Sequence, residues 1–61
     1  MIIKDIITKK VIFKNQLDSP IPRIGEKIVY NNEILRVLDV EYHYTHLEIE
    51  IIIYIEFYQE R

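Results

Sequence analysis

The 61-residue chain has no cysteine, one glycine, two prolines, one methionine and one serine. Without cysteine, disulfides and thiolate zinc sites are excluded. A chain this short buries only about 60% of the surface its unfolded form exposes, and its core supplies about 3 to 5 kcal/mol. Oligomerisation or a bound ligand is the expected supplement. A single glycine leaves no glycine-rich phosphate cradle. The lone serine, Ser19, stands beside Pro20 without the spacing of a serine–histidine–acid set, and acids on a solvated strand face seldom perform acid–base work. The expectation is a protein without catalysis or cofactor. No apolar run is long enough for a membrane span, and charges interrupt the first ten residues, MIIKDIITKK, too early for a signal peptide. A cytoplasmic location with no membrane partner is expected.

Charge of either sign is modest in sum and uneven in distribution. The net charge is −2, with residues 1 to 23 carrying +3 and residues 24 to 61 carrying −5. Affinity for a nucleic-acid duplex rests on many Lys and Arg contacts, so direct duplex binding is not expected. Two readings of the distribution stay open: solvated strand faces kept charged for solubility and edge protection, or a basic surface for a small anion or an acidic partner.

The informative stretch is LEIEIIIYIEFY, Leu47 to Tyr58. Its odd positions are apolar without a break, and a period of two over that length means a β-strand with one buried face. Around Ile52 and Tyr54 both faces are apolar, so the strand asks for cover on two sides. Earlier in the chain, Ile2–Ile7 and Val11–Lys14 read as a hairpin or as one bent strand, since Thr8-Lys9-Lys10 lacks a tight-turn signature. NQLDSPIPRIGE is the irregular crossing, because Pro20 and Pro22 donate no ladder hydrogen bonds. Gly25 is expected at a positive φ or at a close backbone approach. Lys27–Tyr30 and Glu33–His43 are strands joined by Asn31-Asn32, a two-residue turn. β-branched residues dominate, no helical stripe stands out, and no substantial helix is expected. The fold class is all-β: one domain, 1–61, a small barrel of about five antiparallel strands.

Register follows from burial. A loop at Tyr44-Thr45, or at His43 to His46, sets Tyr42 opposite Leu47, Val40 opposite Ile49 and Leu38 opposite Ile51, apolar against apolar. The outer face then pairs His43 with His46, Glu41 with Glu48 and Asp39 with Glu50, and continues to Leu35, Val37, Ile52 and Tyr54. Those last four are the expected self-association surface. A β-bulge near Leu38-Asp39 is the alternative; it would turn Leu35 and Val37 inward. His43, His46, Glu41 and Glu48 have donor types suited to a cation, but such sets on strands arise easily by chance, and no metal is assigned. Tyrosine with arginine suits bases and phosphates or a protein surface, which makes Arg23, Arg36, Tyr44 and Tyr54 the candidate ligand-binding residues. Tyr30 and Tyr42 are expected to pack.

The run Pro22-Arg23-Ile24-Gly25-Glu26-Lys27-Ile28, a turn, and then Ile34 to Tyr42 resembles small SH3-like β-barrel proteins of phages and prophages, in which a Pro-x-Ile-Gly-Glu turn introduces a strand, a hairpin and a long Val-rich strand. The resemblance implies an SH3-like barrel. Some small phage β-proteins of this kind act as inhibitors or sponges of host defence. Similarity to the sponges implies a homo-oligomer in the host cytoplasm that encloses a small anionic nucleotide-type ligand, held by Arg23, Arg36 and lysines with a stacked tyrosine. The alternative is an inhibitor or adaptor that presents an acidic face, Asp39, Glu41, Glu48 and Glu50, to a host protein. A structural accessory role is the third possibility.

Overall fold

The computed structural model describes residues 1–15 and 20–58. Residues 16–19 of the crossing segment, Ser19 among them, lie outside the described residues. All described strands join one curled, half-barrel sheet: β1 (Ile2–Asp5), β2 (Val11–Lys14), β3 (Lys27–Tyr30), β4 (Glu33–Tyr44) and β5 (Ile49–Tyr58), in the order β2-β1-β5-β4-β3. The described residues form no helix. One neighbour relation differs from the expected antiparallel set: β1 runs parallel to β5, with Ile3 beside Ile53.

Each connection has a local cause. The β1–β2 link is a hairpin that needs no Asn-Gly: the Asp5 carboxylate accepts from Ile7 N at 2.9 Å, the Thr8 hydroxyl accepts from Lys10 N at 3.2 Å, and Lys9 adopts φ 62°. Side-chain acceptors that mimic a backbone turn serve in place of glycine here. Asn31 and Asn32 take φ 49° and 64°, the left-handed pair of a tight hairpin turn. Gly25 sits at φ 91°, and a Cβ there would meet nothing within 4 Å. The glycine is therefore required by its dihedral and not by a close approach.

Burial is one-sided. Ile3, Leu35, Val37, Ile51, Ile53 and Ile55 form the core on the concave face, with Met1, Phe13, Ile28, Tyr30 and Val40 packed partly against it. The sheet's two edge strands meet through side chains: the rings of Phe13 (β2) and Tyr30 (β3) stack at 4.2 Å between centroids and 8° between planes. The two edges of the half-barrel thus meet by aromatic contact, with no ladder joining β2 to β3.

The bulge at Leu38 decides the rest. Val37 pairs with Ile55 and Asp39 with Tyr54, so Leu38 is the extra residue. Unbroken alternation from Leu35 and Val37 would carry Asp39, Glu41 and His43 into the core. The adjacent apolar pair Val37-Leu38 absorbs the change of phase, and Val40, Tyr42 and Tyr44 continue the concave face instead. This corrects the expected self-association surface: Leu35 and Val37 are core residues, and only Ile52 and Tyr54 of that set lie on the convex face, each half-buried.

The β4–β5 register also differs, by four residues. Tyr42 pairs with Ile51 and Val40 with Ile53, and the loop is Thr45 to Glu48. An even shift preserves which face each side chain takes. It also separates like charges, since Glu41 now faces Ile52, Asp39 faces Tyr54, and His43 faces Glu50. Thr45 holds the loop: its hydroxyl accepts from Leu47 N (3.3 Å) and Glu48 N (3.1 Å), and its own N–H reaches Glu48 O at 2.9 Å. The twelve-residue β4 spans about 40 Å at about 3.3 Å per residue. It accounts for the 45 Å long axis, because the β4–β5 hairpin continues as an arm beyond the other strands.

Candidate binding surfaces

The first surface lies on the concave side, where the arm leaves the core. Pro20, Ile21, Arg23, Ile24, Val40 and Tyr42 line an open groove of about 740 Å³. Its outer wall is the Pro22–Glu26 turn, and that turn is pinned tightly. The Glu26 carboxylate accepts from Arg23 N, Glu26 N donates to Arg23 O at 3.0 Å, Gly25 N donates to Val37 O at 2.8 Å, and Val37 N donates to Glu26 O at 2.9 Å. The Pro-x-Ile-Gly-Glu run is thus a structural clip that anchors the crossing segment to β4 one residue before the bulge. Ile24, at the turn's apex, remains exposed.

Beyond the groove the concave face continues along the arm without cover. Tyr44 follows Tyr42 by strand alternation, and Ile49 pairs with Tyr44. Tyr44 is 72% exposed, Ile49 51%, and Leu47 at the tip 84%. The uncovered apolar run is therefore Tyr42, Tyr44, Leu47 and Ile49, contiguous with a groove that holds Ile24 and Val40.

The second surface is the convex face, which mixes charged side chains with the apolar Ile2 and Ile52. Pairing places Lys4 of β1 beside Tyr54, and Tyr54 beside Asp39 of β4; Ile2 lies beside Ile52, and Ile52 beside Glu41. Lysines thus stand toward the β1 side of these rows and acids toward the β4 side. The Lys9 ammonium lies 4.8 Å from the Tyr54 ring centroid. Glu41 is held below the usual carboxylate range by a hydrogen bond from His43, 3.3 Å away, and by a second from the Tyr54 hydroxyl. The same carboxylate raises the Tyr54 phenol above its ordinary value. Further along, Arg36 Nε donates to the Glu56 carboxylate at 2.9 Å, and Lys27 and Arg36 both stack on Tyr58.

The candidate ligand-binding residues are dispersed over these surfaces. Arg23 lines the groove and Tyr44 lies farther out on the same concave side, whereas Arg36 and Tyr54 are on the convex face in the contacts just described. Of the acidic set, Asp39, Glu41 and Glu50 share the convex face, and Glu48 belongs to the arm's loop. His43 and His46 do not face each other. Among the described residues no three His, Cys, Asp or Glu side chains gather closely enough to hold a metal ion. No described helix is long and apolar enough to cross a membrane.

Sequence reasoning gave Ile24, Leu47 and Ile49 no binding role and expected Tyr42 to pack, whereas Tyr42 is 50% exposed. A signal existed for one of them, since Ile24 is a large apolar residue inside a turn segment where no core demands it. Tyr42, Leu47 and Ile49 carried no such mark, because strand alternation reads them as core. No family model, curated protein or solved structure matches the chain.

Proposed function

We propose that the chain is a non-catalytic binding module that receives a protein partner on the concave side of its hairpin arm. The observation that carries this reading is the continuity of the groove with the uncovered run Tyr42, Tyr44, Leu47 and Ile49. A contiguous apolar patch rimmed by polar residues marks an interface, and tyrosine contributes large contact area at low entropic cost. Asp39, Glu41 and Glu50 on the opposite face of the same strands favour a partner with basic character, which they would steer toward the arm. The resemblance to small phage barrels supports a host protein as that partner, with the chain as an inhibitor or adaptor acting against host defence in the host cytoplasm.

A second reading, a homo-oligomer that sequesters a small anionic nucleotide-type ligand, is favoured by one observation: Arg23 and Tyr42 line the same groove. It requires a second copy to bring Arg36 and Tyr54 to that ligand, because within one chain they lie on the other face.

Native mass spectrometry on protein purified gently from its host separates the two. The expected result is a complex with a second protein at fixed stoichiometry that disappears in the folded Tyr44→Ser, Ile49→Ser variant. A complex unaffected by that variant overturns the arm as the binding surface. Extra mass of nucleotide size, lost in Arg23→Glu, transfers the function to the second reading.

A further inference from the structure

The outer edge of β4 changes character at the bulge. From Glu33 to Arg36 it is covered by β3, and at Val37 by the Gly25-Glu26 backbone. From Val40 to Tyr44 no strand lies beside it among the described residues. Backbone polarity along this stretch follows from the arm's last hydrogen bond. Thr45 N donates to Glu48 O, so the pairs His43–Glu50, Glu41–Ile52 and Asp39–Tyr54 are those whose N–H and C=O groups point into β5. Val40, Tyr42 and Tyr44 therefore aim theirs outward; the Val40 amide donates to the Asp39 carboxylate at 2.9 Å, a contact that an added strand would replace.

Natural sheets blunt such edges with lysine, proline or an added cover. β2's free edge fits that pattern, with Lys10 and Lys14 flanking it and the Phe13–Tyr30 stack closing over it. The Val40–Tyr44 edge has neither lysine nor proline, and its bulge lies before it, at Leu38.

We propose that this free edge of β4 accepts an extended peptide segment as an added strand, the segment alternating apolar residues with Lys or Arg. The inference rests on the protein-binding reading above and specifies how the partner docks. Paired strands place opposite residues on the same face. One set of guest side chains therefore joins Val40, Tyr42 and Tyr44 over the groove, and needs to be apolar. The other set stands beside Asp39 and Glu41 on the convex face, and basic residues complement those carboxylates. A second copy does not supply this complement through the same edge: two-fold pairing of β4 with β4 centred on Val40 or Glu41 sets acids against acids, centred on Tyr42 it sets Glu41 opposite His43, and no Lys or Arg occurs from Asp39 to Tyr44. From Asp39 to Tyr44 the edge spans about 20 Å at about 3.3 Å per residue, room for a guest strand of about six residues.

The probe is a capped six-residue peptide of alternating valine and lysine, titrated into the full chain while amide exchange is followed by NMR. Slowed exchange is expected at Val40, Tyr42 and Tyr44 and not at Asp39, Glu41 or His43, whose amides already point into β5. Affinity should fall at least tenfold in Tyr42→Pro, which removes an outward donor without touching the β5 ladder, and at least tenfold in Asp39→Asn, Glu41→Gln; both variants are checked for the native strand signature by circular dichroism. A valine–glutamate peptide binding equally well overturns the proposal. So does protection of the same three amides in the free chain that rises with its own concentration, since the edge is then taken by a second copy. Full affinity in a folded Tyr42→Pro, or no binding of the valine–lysine peptide, also overturns strand addition. It leaves the module reading standing as long as the native complex is still lost in Tyr44→Ser, Ile49→Ser.

Discussion

Ile52 and Ile53 are neighbours of identical chemistry on opposite faces of β5, and their comparison tests which face is the core. Ile53 is fully buried, flanked by Ile3 of β1 and Val40 of β4, while Ile52 is half-exposed between Ile2 and Glu41. Removing one buried methyl as Ile53→Val costs about 1 kcal/mol by transfer and cavity effects together. Against a total of about 3 to 5 kcal/mol for a chain this size, that is about a fifth to a third of the stability. With a urea dependence of about 1 kcal/mol per molar, the unfolding midpoint should fall by about 1 M. Ile52→Val should lower it by less than half as much. Ile53→Ala, at about 2 to 5 kcal/mol, should leave little folded chain at all, which is why the valine pair is the informative one. Midpoints are read from the strand band in circular dichroism at two protein concentrations. Equal shifts for the two variants, or a larger one for Ile52, would refute the one-sided core. A shift for Ile52→Val that depends on protein concentration would mean that self-association covers the convex face.

Gly25→Ala meets no steric obstacle, yet it forces an L-residue to φ 91°; the expected cost is about 1 kcal/mol or more, seen as a fall of roughly 5 °C in Tm by differential scanning calorimetry. Thr45→Val removes the hydroxyl that serves the Leu47 and Glu48 amides, so amide exchange should accelerate at those two positions while β1 and β3 stay unchanged. Glu41 carries a lowered pKa through His43 first and Tyr54 second. Its contribution to stability is present above the ordinary glutamate pKa and is lost as pH falls through the lowered folded value. A carboxyl NMR titration should place its midpoint below that of a free glutamate and move it upward in His43→Leu; an unmoved midpoint would remove His43 as the cause.

What could be read from the sequence was the part set by local chemistry. The alternation through Ile51, Ile53 and Ile55 marked the core strand, Asn31-Asn32 marked a turn because asparagine tolerates positive φ, and the single glycine marked another such place, whereas Lys9, also at positive φ, carried no mark. The parallel pairing of β1 with β5 was not readable, since nothing in Ile2–Asp5 distinguishes a parallel neighbour from an antiparallel one. The arm's register escaped for a different reason. Apolar pairing is satisfied equally by registers four residues apart, and the choice between them rests on a threonine hydroxyl closing a four-residue loop and on carboxylates avoiding one another.

The bulge at Leu38 joins the fold to the candidate site. Leu35 and Val37 could face inward together with Val40 and Tyr42 only if one residue between them was left out of the ladder, and Val37-Leu38 is the only adjacent apolar pair in β4 after Ile34-Leu35. That pair was visible in the sequence as an alternative to a surface patch, but strand periodicity alone does not rank the two. Burial ranks them: the alternative without a bulge puts either Leu35 and Val37 in water or Asp39 and Glu41 in the core, and an unpaired buried carboxylate is the costlier error. The same extra residue ends β4's coverage by the Gly25-Glu26 clip and sends the strand on as an arm whose tyrosines remain uncovered. The groove, the open edge and the exposed tyrosines are therefore consequences of one insertion in one strand, and the binding surface is located where the core's own alternation had to be broken.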